Sequence, residues 1–254
     1  MQLTDPAAIA RYLRRDTALH LYALGDLDPF FWHRTRWWGL GEPLEVVGMV
    51  YDHPMKPTLM ALCGEGEAGR MNELLEQMAV ELPAEVYAHL SHGVKLAGWA
   101  CEDHGVYDKM CLVDPARVES VADDGVEDLG PSHTAEVERF YARCYPNNWF
   151  DPRMLETEAY VGVRQRGELV SVAGVHVLST AERVAALGNI ATDAGWRGRG
   201  LGRRVTAAVC RRLLGDVDTI GLNVEASNGV AIRCYERLGF ERVASYREAR
   251  LRRR

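Results

Sequence analysis

The stretch G-W-R-G-R-G-L-G, Gly195 to Gly202, decides the reading of this chain, because it sets a glycine-rich turn between an apolar strand and an amphipathic helix. The strand is predicted over Val184–Ala191. The helix is predicted over Leu201–Leu214, where Leu201, Val205, Val209 and Leu213 recur at i, i+4 spacing and form one apolar stripe. Gly198, Gly200 and Gly202 let the backbone turn sharply and come close to a ligand, while the helix N-terminus adds its dipole. Such a nest of N–H donors suits a pyrophosphate.

A second motif lies downstream in N-V-E-A-S-N-G-V-A-I-R-C-Y-E-R-L-G-F, Asn223 to Phe240. A short apolar strand, Thr219–Val224, feeds a helix with Asn228 as its N-cap and Gly239 as its stop. Ala231, Ile232, Tyr235 and Leu238 recur at helical spacing, which turns Tyr235 inward.

With these two motifs in place, the sequence resembles the GNAT superfamily of acyl-CoA-dependent N-acyltransferases. Arg197, Gly200 and Gly202 coincide with that family's R/Q-x-x-G-x-G/A pyrophosphate turn, and I-A-T (Ile190, Ala191, Thr192) looks like its acyl-CoA-binding strand end. Asn228, Ala231, Tyr235, Gly239 and Phe240 fall on its second signature, N-x-x-A-x-x-x-Y-x-x-x-G-F. The resemblance implies acetyl-CoA as acyl donor. Its binding residues would be Ile190, Ala191, Thr192, Arg197, Gly198, Arg199, Gly200, Leu201, Gly202, Asn228 and Ala231. In the family the two strands flanking this turn and helix splay at a bulge, and the pantetheine chain lies in the gap. The family counterpart of Tyr235 protonates the departing sulfur. A phenol O–H suits that step.

The general base stays open. Asn223 stands where the branch acetylating protein N-termini often has a glutamate, and an amide takes no proton at neutral pH. Glu225 shares a strand face with Asn223 if the strand continues, and is the catalytic candidate beside Tyr235; a plain surface carboxylate is the alternative. His176 and Asn189 are weaker candidates, with core packing and backbone satisfaction as their structural readings. Cys234, beside Tyr235, is read as filling space rather than as a nucleophile.

Composition sets outer bounds. A chain of 254 residues holds one large domain or two ordinary ones. Its net charge of −6 argues against a general nucleic-acid binder. The C-terminal R-E-A-R-L-R-R-R is read as a solvated tail. Six scattered cysteines without a C-x-x-C pair point to a reducing, cytoplasmic setting, and no apolar run reaches membrane-spanning length. His89 and His92 form H-x-x-H at a strand end without a third ligand nearby, so no metal is expected.

The order of elements appears twice. The second half reads helix (Thr134–Cys144), hairpin, strand, helix, strand, helix, strand; the first half gives helices over Pro6–Asp26, a hairpin, a strand (T-L-M-A-L-C), a helix over Ala68–Leu82 and further strands. This resembles a tandem GNAT arrangement with a degenerate N-terminal copy. The expected class is α+β, with two mixed, mostly antiparallel sheets flanked by helices. The expected division is a degenerate domain over 1–120 and an acyltransferase domain over 121–254. In the first half G-E-G-E-A-G, Gly64 to Gly69, formally matches G-x-G-x-x-G. Glu65 and Glu67 would set two carboxylates against a pyrophosphate, so a dinucleotide site is not expected there. Phe30, Phe31, Trp32, Trp37 and Trp38, interleaved with His33, Arg34 and Arg36, are read as packing at a domain interface, with base stacking and a substrate-pocket wall as alternatives.

The resemblance implies an N-acetyltransferase, and an N-terminal domain enclosing one side of the cleft points to a primary amine of a small molecule such as an amino acid as acceptor. No nucleic acid or membrane partner is expected, and a homodimer is allowed. The alternatives are a protein acetyltransferase acting on lysine or an N-terminus, or a non-catalytic acyl-CoA sensor.

Overall fold

A computed structural model describes residues 1–53 and 56–254. The chain forms two compact units that are not contiguous in sequence. The first comprises Met1–Lys109, Val224–Ser227 and Arg242–Arg254; the second comprises Met110–Asn223 and Asn228–Glu241.

The first unit opens with β1 (Gln2–Leu3) and α1 (Pro6–Leu13), which Asp5 starts by accepting the Ala7 N–H at 2.9 Å. Short helices α2 (Leu21–Gly25) and α3 (Pro29–Trp32) lead into the antiparallel strands β2 (Thr35–Leu40), β3 (Val46–Tyr51) and β4 (Thr58–Ala61). After α4 (Ala68–Met78), β5 (Glu85–Leu90) returns parallel to β4. The strand β6 (Trp99–Leu112) belongs to this unit as far as Lys109. The core lies where Met71, Leu74, Leu75 and Met78 of α4 meet Trp38, Val50, Leu59 and Val86 of the sheet. Each such side chain contributes roughly 1.5–3 kcal/mol by leaving water.

The end of the chain departs from the expectation. The segment read as a solvated tail is part of β12 (Phe240–Arg253), paired antiparallel with β5 from Arg247↔Leu90 to Arg252↔Glu85. Ala249 and Leu251 are buried on one face with Val86, Ala88 and Leu90, and Tyr246 is buried on the other with Leu19 and Leu62, whereas Arg247 and Arg252 make ion pairs. Pairing with β5 and burial on both faces, not net charge, therefore decide the conformation of this segment. It also means that a cut at 120/121 does not describe the compact units, because residues 242–254 complete the sheet of the first one. The aromatic cluster is packed within the same unit: Trp37 and Trp38 are buried, Trp32 stacks on Trp37 at 6.2 Å, and Arg36 pairs with Asp52 at 2.7 Å.

The second unit starts with α5 (Pro115–Glu119), β7 (Val126–Asp128) and α6 (Thr134–Cys144). A hairpin follows, β8 (Val161–Gln165) and β9 (Glu168–Ser179), joined through Arg166 and Gly167, both at positive φ. Two such residues match the right-handed twist of the flanking strands. Next come β10 (Val184–Thr192), α7 (Leu201–Leu213), β11 (Thr219–Glu225, within this unit to Asn223) and α8 (Gly229–Arg237). The strand order is β11-β10-β9-β8-β7, parallel between β10 and β11 and antiparallel elsewhere. Leu201, Val205, Val209 and Leu213 of α7 are buried, as the apolar stripe requires. The sequence β10, turn, α7, parallel β11 repeats the sequence β4, turn, α4, parallel β5. In both units the strands are mixed in direction and flanked by helices, but they do not form the two separate sheets expected.

Candidate functional site

The turn Trp196–Gly202 joins β10 to α7 in the second unit. Gly198 and Gly200 each have φ of +76°, a conformation that costs an L-residue strain and a glycine nothing. A Cβ added at either would meet no atom within 4 Å, so the space over the turn is open. Gly200 is the N-cap of α7, and no side chain caps the helix. The first N–H groups of α7 therefore lack a side-chain acceptor at the positive end of a thirteen-residue helix. At Gly202 a Cβ would lie 3.4 Å from Thr192 Oγ1, an ordinary contact.

The predicted strand end is brought to this turn. Arg197 Nε donates to Thr192 O at 3.2 Å, Ser171 Oγ donates to Ala191 O at 3.2 Å, and the Ser171 and Thr192 hydroxyls lie 2.9 Å apart. The Arg199 guanidinium lies 4.6 Å over the Trp196 ring. Asp193, at the start of the turn, accepts Gly195 N–H at 2.9 Å and pairs with Arg143 at 3.2 Å. These partners hold its pKa below the usual range, the Gly195 N–H foremost.

On the β11 side the ladder of β10 ends at Leu187↔Leu222, although both strands run on. On the β9 side the register shifts between Gly188↔Gly174 and Ala191↔Val172, which inserts one extra residue in β10. This is a bulge. The strand pairing thus shows the splay named in the resemblance.

Asn228 caps α8 by accepting Ala231 N–H at 3.1 Å, the role its position predicts. Gly239, at φ +90°, ends that helix and passes so near Asp114 O that a Cβ would collide with it. Tyr235 is buried, with its ring 6.0 Å from that of Phe240. Burial pushes its phenol above the ordinary tyrosine range, so it stays an O–H donor at neutral pH. The neighbouring Cys234 thiol is also pushed up by burial, which keeps it protonated and suits packing.

Glu225 ends β11, so the strand does continue past Asn223. It is exposed, accepts the Ser227 hydroxyl at 2.5 Å and belongs to the first unit. Burial holds His176 down to about 4. Its ring occupies the space where a Cβ on Gly188 would stand. The H-x-x-H pair separates in role: His89 Nε2 lies 3.5 Å from Glu248 Oε1, whereas His92 Nε2 lies 2.9 Å from Ser245 Oγ. Among the described residues no group of three or more potential metal ligands occurs, and no helix is long and apolar enough to cross a membrane.

The Gly64–Gly69 turn of the first unit is built differently. Glu67 Oε2 accepts Gly64 N–H at 2.8 Å and Oε1 accepts Arg15 Nη2 at 3.1 Å, so a carboxylate of the chain sits in its own turn.

Sequence reasoning makes Asn189 a weak candidate and passes over its partners. Tyr141 donates to Asn189 O at 2.7 Å, and Asn189 Nδ2 donates to Tyr160 Oη at 3.0 Å. The signal in the sequence is Gly-Asn inside an apolar strand, a dipeptide that favours positive φ and a bulge.

Residues 126–240 match the family model described as Acetyltransferase (GNAT) family. That stretch is a GNAT domain. No curated protein matches the sequence. Among solved structures, a Drosophila protein is similar with a TM-score of 0.71 at 14% identity, over 99% of this chain and 97% of that one. A GNAT-family protein from Novosphingobium aromaticivorans is similar with a TM-score of 0.62 at 22% identity, over 82% and 88%. A GCN5-related N-acetyltransferase from Kribbella flavida gives 0.61 at 17% identity, over 94% of each chain. At these identities the likeness is one of fold.

Proposed function

We propose, from the GNAT domain at residues 126–240, that this chain moves an acetyl group from acetyl-CoA to the primary amine of a small molecule. The observation that carries this reading is the Gly198–Gly202 turn, whose helix N-terminus has no side-chain cap and whose glycines leave open space for a pyrophosphate. When bound, acyl-CoA supplies an activated thioester. The N–H groups of the turn and the α7 dipole would hold its pyrophosphate, with Arg197 and Arg199 adding positive charge. The segment 190–192 is no longer paired with β11, although the Ala191 and Thr192 carbonyls accept from Ser171 and Arg197, and its β11-facing side would receive the amide-bearing arm. Tyr235 would give its proton to the departing sulfur. A phenol kept protonated by burial is suited to that role. Glu225, exposed at the end of β11, is the carboxylate assigned to the incoming amine, directly or through water.

The first unit is inferred to be a degenerate copy that does not hold the donor, since Glu67 fills its turn. The test is release of CoA thiol from acetyl-CoA over amino acids, polyamines, aminoglycosides and short peptides, with Tyr235→Phe alongside. Release with one small-amine class, weakened in the variant, supports the proposal. Release with peptides alone would replace the small acceptor by a protein, and tight binding without release would leave a sensor of acyl-CoA.

A further inference from the structure

The bulge in β10 has an unusual residue at its centre. Asn189 has φ of +53°, the left-handed region that L-residues seldom enter, and it does so inside a strand and while buried. Every polar part of its side chain is engaged. Oδ1 accepts Trp149 N–H at 3.3 Å, and Nδ2 donates to Tyr160 Oη at 3.0 Å. The backbone carbonyl of Asn189 accepts the Tyr141 hydroxyl at 2.7 Å. Tyr160 is itself anchored, donating to Val175 O on β9 at 3.0 Å, and its ring lies where a Cβ on Gly174 would stand. Phe150 bridges the two tyrosines, 5.2 Å from Tyr141 and 5.7 Å from Tyr160. Strain at a buried site persists only where the surroundings over-determine it. Here two tyrosines, a backbone N–H and a packed phenylalanine do so.

The strain has a geometric result. The β10 ladder with β11 ends at Leu187↔Leu222, between two register shifts against β9, one between Ala186 and Leu187 and one across Asn189, after which pairing with β9 resumes at Ala191↔Val172. Residues 190–192 thus keep one neighbour and leave the other. Parallel strands that part in this way expose backbone groups that an extended, amide-bearing chain can pair with, as an added strand does. The strand end leads directly into the Gly198–Gly202 turn, so a ligand whose phosphates sit on the turn and whose arm carries amides lies along it.

We propose that Asn189, clamped by Tyr141 and Tyr160, is a positioning residue that fixes where β10 parts from β11 and thereby sets the affinity for the acyl-pantetheine arm. This rests on the acyl-CoA reading for the identity of the ligand, not for the existence of the clamp.

The experiment compares Asn189→Ala, Asn189→Gly and Tyr141→Phe with the parent chain by two readouts. These are acetyl-CoA affinity by calorimetry, and amide hydrogen exchange of residues 190–192 without ligand. Alanine disfavours the left-handed backbone and should weaken binding about tenfold. Glycine tolerates that backbone and should lie between alanine and the parent, although it removes more packing. A mere packing role gives the opposite order. Tyr141→Phe keeps the ring, so it folds even where the alanine variant does not, and should weaken binding about fivefold with faster exchange. Parent-like affinity and exchange in Asn189→Ala, or in Tyr141→Phe where that variant fails to fold, overturns the proposal; so does glycine as weak as alanine. Should the parent bind no acetyl-CoA, the functional reading fails, and the order of exchange rates still decides the role of Asn189.

Discussion

Glu67 Oε2 accepts the backbone N–H of Gly64 at 2.8 Å, closing the turn of the first unit around a carboxylate of its own. Neither α4 nor α7 has a side-chain cap, so the difference lies in the turn itself, where the first unit places the Glu67 carboxylate. The expected outcome is one acetyl-CoA per chain by calorimetry. Glu67→Ala should lower the Tm by about 2–4 °C through loss of this bond without creating a second site, since Glu65 remains in the turn. A stoichiometry of two would show that the first unit is not degenerate.

Gly200 separates two effects. Gly200→Ala meets no steric obstacle, but at φ +76° it should cost about 1 kcal/mol of stability and little affinity. Gly200→Glu adds a carboxylate where a pyrophosphate would bind and should weaken acetyl-CoA by about a hundredfold or more. Unchanged binding in the glutamate variant would remove the turn from the site. Thermal melts and calorimetry on both variants read the difference.

Tyr235→Phe keeps the ring against Phe240 and removes only the hydroxyl. Turnover should fall about a hundredfold while acetyl-CoA affinity holds. Because burial raises the phenol's pKa, the active, protonated form persists as pH rises. The alkaline limb of the parent's rate profile should accordingly not begin below the ordinary tyrosine range near pH 10. An alkaline loss near pH 8 that disappears in the variant would contradict this assignment.

His20 makes the first unit acid-sensitive. Burial first, and Lys109 second, hold its pKa down to about 4 against an ordinary 6.5. The unfolded chain takes up the proton first, so stability is full above about pH 6.5 and falls as pH drops toward 4. Each pH unit within that window costs up to about 1.4 kcal/mol. His20→Asn should melt with a flatter pH dependence between these limits, and equal slopes for the two proteins would assign the acid loss to other groups.

Much of the second unit was legible because its information is local. The stripe on α7, the N-cap at Asn228 and the stop at Gly239 each depend on residues within a few turns of chain. What the chain did not disclose was pairing at a distance. Ala249 and Leu251 are buried as a strand's inner face should be, but the surrounding arginines masked the pattern, and nothing nearby names Val86, Ala88 and Leu90 of β5 as neighbours. The clamp on Asn189 was hidden for the same reason: Tyr141 and Tyr160 lie 48 and 29 residues from it in sequence.

The pairing of Arg247–Arg252 with β5 sets a timetable for synthesis. The first unit begins the chain yet needs residues 242–254, whereas the residues of the second unit end at Glu241. During synthesis β5 therefore lacks its β12 partner while about 150 residues are added. Open strand edges invite wrong partners. Arg247, Arg250 and Arg252, spread through the arriving strand, give it a like charge that disfavours pairing with copies of itself, and Arg250 and Arg252 meet Glu85 of β5.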